Sequence, residues 1–169
     1  MKASKLFFLL TVFSIIGISA NAQRVRPRER AAVRHADKVH ARRVIRRTAY
    51  VILAAQKQVR EGKNYTGDLA RSIAHQRFAR KLFFQGEFLR AMHQSRRARQ
   101  FAILAIQANK GTETADMKYN PEDEQIMNAN PASDADLDKE LDAASPGYST
   151  NDADFVNAAL DDIDLTDMQ

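Results

Sequence analysis

The 169-residue chain has no cysteine, which excludes disulfides, thiolate metal sites, cysteine nucleophiles and lipidation of a cysteine together. Such a chain must hold itself together by packing, which suits a bacterial envelope protein better than a small eukaryotic secreted domain. Proline and glycine are sparse, at four and six residues, and none falls between positions 28 and 61. Nothing there interrupts a helix. No segment reads as a strand, and no Gly-rich phosphate loop, G-x-S-x-G elbow or pair of carboxylates in a plausible cleft is visible. His35, His40, His75 and His93 lack metal-ligand spacing. Asp134-Ala135-Asp136-Leu137-Asp138 opens like a calcium loop, but Lys139 and Ser145 occupy the places that need Gly and Glu. The sequence therefore points away from an enzyme and implies no cofactor, no metal and no small-molecule substrate.

What is abundant is charge, and it is divided. Residues 23–110 hold 22 Lys+Arg against 5 Asp+Glu, whereas residues 111–169 hold 2 against 16. A basic body followed by an acidic tail says more about partners than about fold.

The first 22 residues read as an export signal. Met1, Lys2 and Lys5 give a cationic start, residues 6–17 form an apolar run, and Ala20-Asn21-Ala22 supplies the small-x-small site. The run is shorter than the roughly 20 apolar residues that cross a bilayer. Cleavage after Ala22 would leave Gln23 first, and the mature protein is expected to be periplasmic or secreted. The membrane then enters only through the uncleaved signal or as an anionic surface.

Residues 23–111 are expected to form an all-α domain. Pro27 suits the first position of a helix over 27–61, whose buried face is Ala41, Val44, Ile45, Thr48, Val51, Ile52, Ala55 and Val59. After a turn at 62–67, with Thr66 or Asp68 available as a cap, a second helix covers 68–84 and turns inward Leu69, Ala70, Ile73, Ala74, Phe78 and Leu82. Gly86 breaks it, and a third helix covers 87–109, with Gly111 at its end. Ala79, Leu82, Gly86, Phe88, Ala91, Ser95 and Ala98 stand at the spacings of a tetratricopeptide (TPR) repeat, so the second and third helices resemble one degenerate TPR-like hairpin. His75 and Ser95 depart from that pattern, and the closing proline is missing. The resemblance implies a helical hairpin that serves protein–protein interaction. It would be packed on the long basic helix, or the three helices would form a bundle.

Arg30, Arg34, Lys38, Arg42 and Arg46 follow at steps of four, with Arg43 and Arg47 alongside; Arg96, Arg97 and Arg99 add a second cluster. Like charges so spaced cost an isolated helix about 0.2–0.5 kcal/mol per pair, so an anion should compensate. That anion is a protein partner, the chain's own acidic tail, or an external polymer such as lipid phosphate, an acidic glycan or nucleic acid. Residues 112–169 carry Pro121, Pro131, Pro146 and Gly147 and few large apolar residues, which predicts a largely disordered tail. The exception is an amphipathic helix near 152–164, where Phe155, Val156, Leu160 and Ile163 share a face suited to docking on a partner. The leading expectation is an exported, non-enzymatic interaction protein; the alternative is a polyanion-binding protein with an autoinhibitory tail.

Overall fold

The structure, a computed structural model, describes residues 27–165, with side chains from residue 35 on. The expected cleavage site at Ala20 and Ala22 lies outside the described residues. Every regular element among the described residues is helical, and none of these helices is long and apolar enough to cross a membrane.

Helix α1 spans Pro27–Gly62, α2 spans Asp68–Phe84 and α3 spans Phe88–Ala108. Helix α2 ends in a Schellman arrangement: the Glu87 amide donates to the Leu82 carbonyl (3.0 Å) and the Gly86 amide to Phe83 (3.1 Å). Gly86, at φ 80°, permits this reversal. Helix α3 ends in the same way, but Lys110 rather than Gly111 takes the left-handed conformation, with φ 61°. The hairpin is antiparallel: Leu69 and Ile73, early in α2, share an apolar cluster with Ala102 and Ile106, late in α3, whereas Phe78 and Leu82 share another with Ala91 and Met92.

The three helices enclose two apolar clusters. One joins Ile52, Ala55 and Val59 of α1 to Leu69 and Ile73 of α2 and to Ala102 and Ile106 of α3. The other joins Val44 and Ile45 to Phe78, Leu82, Ala91 and Met92. Ser95, which stands where the TPR pattern has a large apolar side chain, is fully buried and donates to Gln76 Oε1 at 3.0 Å.

The expectation of a largely disordered tail is corrected by its packing. Helix α4, Pro121–Ala129, is capped by Asn120, whose side chain accepts from the Asp123 amide at 2.8 Å. Helix α5, Asp134–Ala144, is capped by Ser133 through the Asp136 amide at 3.1 Å. Pro121 stands in the first turn of α4, where a missing N–H costs nothing. Val156, Leu160 and Ile163 complete the first cluster, and Met127, Leu141 and Leu165 complete the second. The boundary expected at residue 111 is therefore no break in the core.

The segment near 152–164 is not one helix. It consists of two 3₁₀ turns, Asp152–Asp154 and Asp161–Ile163, joined by irregular chain. The reason lies in the carbonyls between them. Gln56 Nε2 donates to Phe155 O (2.6 Å) and Ala158 O (2.9 Å), and Arg60 Nε donates to Val156 O (2.8 Å). Val156, Leu160 and Ile163 are consequently buried in the chain's own core, and Phe155 packs half-buried against it under Arg77. The proposed partner-docking face is an internal contact.

Candidate anion-binding surfaces

The structure divides the cationic residues singled out in the sequence into three environments. On α3, Arg96 and Arg97 face α5. Arg97 holds Asp138 with two parallel bonds, Nε to Oδ1 at 2.7 Å and Nη2 to Oδ2 at 2.6 Å, and reaches Asp134 at 3.2 Å. Arg96 Nη2 reaches Asp134 Oδ1 at 2.8 Å and Ala132 O at 3.1 Å. Nearly two turns earlier on α3, Arg90 pairs with Glu140. The carboxylates at 134 and 138 lie four residues apart on one helix face, so an adjacent pair of arginines grips both. Leu137 and Leu141, from the same α5, are buried underneath.

Behind this contact lies a buried polar layer. His75 Nδ1 is 2.7 Å from Gln94 Oε1 and its Nε2 is 3.3 Å from Asp138 Oδ1, with the ring stacked on Phe101. Burial pushes the His75 imidazolium down from its ordinary value, and the Gln94 and Asp138 contacts offset only part of that. Burial also raises the Asp138 carboxyl, but the Arg97 guanidinium outweighs it and leaves the group below its ordinary value. Gln94 Nε2 donates to Glu140 (2.7 Å) and to Leu137 O (3.2 Å), tying α5 to the hairpin.

Arg99 is not a surface group. It is 2% exposed, with Nε and Nη2 donating to Thr48 Oγ1 (3.2 and 3.0 Å) and Nη1 to Met117 O (3.2 Å), and its guanidinium lies 3.8 Å from the Tyr119 ring centroid. Burial lowers its affinity for the proton, and burial pushes the Tyr119 phenol up to about 12. Stacking on Tyr119 and bonds to neutral oxygens take the place of a carboxylate partner. No sequence signal separates it from Arg96 and Arg97; its place on the inner side of α3 does.

The third environment is the outer face of α1. Arg42, Arg43, Arg46 and Arg47 line a cleft of about 340 Å³ with Val39. Arg43 is held at one edge by α4: Nη1 lies 3.4 Å from Glu122 Oε2 and Nε lies 3.8 Å from the buried Asp123. His40 Nδ1 stands 2.9 Å from Asp123 Oδ1 and 3.1 Å from Arg43 Nη2. Arg46 approaches Asp164 only to 4.0 Å. Arg42 and Arg47 make no ion pair among the described residues, and Arg42 Nε is buried there without an acceptor. Lys38 is exposed one turn earlier, and the side chains of Arg30 and Arg34 lie outside the described residues.

Among the described residues, no group of three histidines and carboxylates is placed to hold a metal ion. Comparisons with family models, with curated proteins and with solved structures find no match to this chain.

Proposed function

We propose that the protein is an exported, non-enzymatic binding protein that engages an anionic partner through the outer face of α1. The observation that carries this reading is the division of arginines. Arg90, Arg96 and Arg97 already hold carboxylates of α5, whereas Arg42 and Arg47 border an open cleft and have none among the described residues. Four guanidinium groups within one and a half helical turns repel one another, and an external anion relieves that repulsion. The small-x-small site at Ala20-Asn21-Ala22 supports export, and the TPR-like spacing of the hairpin suits a scaffold for interaction.

Heparin binding by the mature full chain tests the reading. Arg42→Gln with Arg47→Gln should weaken binding about tenfold and flatten its salt dependence by about two released counterions. A matched change at Lys110 should alter neither. Equal affinity of the double variant and the parent would remove α1 as the site.

A second reading, that the acidic tail competes with an external polyanion, is favoured by the grip of Arg96 and Arg97 on Asp134 and Asp138. Asp134→Asn with Asp138→Asn should then raise heparin affinity and move its footprint to α3; an unchanged affinity sinks it.

A further inference from the structure

Resting on the α1 reading above, we infer that this face takes an acidic amphipathic helix of another protein, with carboxylates four residues apart, rather than a flexible polyanion. The first observation is the company the arginines keep. Val39, Tyr50 and Leu53 are 48%, 63% and 45% exposed, and they lie on the same side of α1 as the arginine doublets. At 100° per residue, Val39, Arg42, Arg43, Arg46, Arg47, Tyr50 and Leu53 fall within an arc of about 140° and a length of about 21 Å. Apolar groups thus flank the doublets at both ends. A flexible chain of sulfates or phosphates makes no use of them, whereas an amphipathic helix four turns long covers the whole row.

The second observation is that the molecule already contains this recognition in working form. The Arg96-Arg97 doublet grips Asp134 and Asp138, four residues apart on α5, while Leu137 and Leu141 of the same helix pack inward. Helix α1 carries two such doublets, Arg42-Arg43 and Arg46-Arg47, four residues apart. Two doublets suit two successive carboxylate pairs on a partner. Helix α4 reaches only Arg43 at the edge of the cleft, and Asp164 approaches Arg46 to 4.0 Å, so the chain's own acids leave Arg42 and Arg47 open among the described residues.

The probe is a helix-stabilised peptide with the sequence of residues 133–145, titrated into the isotopically labelled mature full chain. Its own seat on α3 is occupied in the intact protein, so saturable NMR shifts should fall on the amides of residues 39–53. Val39→Ser with Tyr50→Ser and Leu53→Ser, all exposed, should weaken the peptide about tenfold and leave heparin binding within about twofold. Arg42→Gln with Arg47→Gln should weaken both ligands, and a peptide with Asn at 134 and 138 should not bind. Circular dichroism confirms that each variant is folded. Shifts confined to α3, or a triple serine variant that binds the peptide as tightly as the parent, overturn the inference. Heparin binding without peptide binding defeats the helix and leaves the anionic-partner reading standing; loss of both defeats both. Dimerisation in sedimentation equilibrium that the serine variant abolishes would make the occupant a second copy of the chain and likewise overturn it.

Discussion

The carboxylate of Asp152 is fully buried, and its two oxygens accept from the amides of Gly67 and Ala70, each at 2.9 Å. Those amides are free donors at the start of α2, so a residue 82 to 85 positions away does what a local cap ordinarily does. Asp152→Ala leaves both unsatisfied and should cost about 2–4 kcal/mol in urea unfolding, whereas removing the exposed Thr66 hydroxyl should cost less than about 1 kcal/mol. The histidines set a second expectation. Burial lowers both His75 and His93 from 6.5; neither ring nitrogen of His93 has a hydrogen-bond partner, and the nearby Asn130 backbone only partly opposes the shift. Each imidazole is kept neutral in the fold and takes its proton first when unfolded. The stability they confer is whole above pH 6.5 and declines as the pH falls below it. Asp138, Arg97 and Gln94 face His75, and Arg96 and Glu140 lie near His93, so acid loosens the seat of α5. The melting temperature should drop between pH 7.5 and 5.5, and His93→Leu should reduce that drop. None of this was legible in the sequence, because Asp152, His75 and Gln94 acquire their partners only through contacts distant along the chain.

At the level of elements, the three long helices were legible. The readings 27–61, 68–84 and 87–109 meet Pro27–Gly62, Asp68–Phe84 and Phe88–Ala108, because apolar spacing and two glycine breaks define them locally. Helices α4 and α5 were missed. Each buries only one or two apolar side chains, Met127 for α4 and Leu137 with Leu141 for α5, so composition alone reads as unfoldable. Their capping residues, Asn120 and Ser133, were the overlooked signal. The turn before α2 separates two kinds of glycine. Gly67 has φ 85°, and a β-carbon there would stand 2.9 Å from the Thr150 carbonyl; Gly86 has φ 80° with open space around it. Gly86→Ala should cost about 1 kcal/mol from backbone strain alone. Gly67→Ala should cost more than twice that, and in hydrogen exchange it should loosen residues 150–156 first, since it also pushes away the strand of chain that carries Asp152.

Among the described residues, both apolar clusters of the three long helices are completed by side chains from residues 127–165. A chain ending at Gly111 keeps every long helix and loses Met127, Leu141, Val156, Leu160, Ile163 and Leu165 from the two apolar clusters. It should retain much of its helical circular dichroism yet melt broadly and bind a hydrophobic dye, in contrast to the sharp transition of the full chain. A sharp transition in the truncated chain would show that the first three helices suffice. The buried amide of Gln76 sums up the closure: its Nε2 donates to Ile45 O at 2.8 Å and to Ile163 O at 2.9 Å. During synthesis, at about 5–20 residues per second, the carbonyl of Ile163 is made 87 residues after Gln76. Until then, Gln76 lacks its second acceptor, and Gln56 gains its own two only as Phe155 and Ala158 are added. The nascent chain can be helical without being finished, and final locking must wait until residues 155–163 have emerged to meet Gln56 and Gln76.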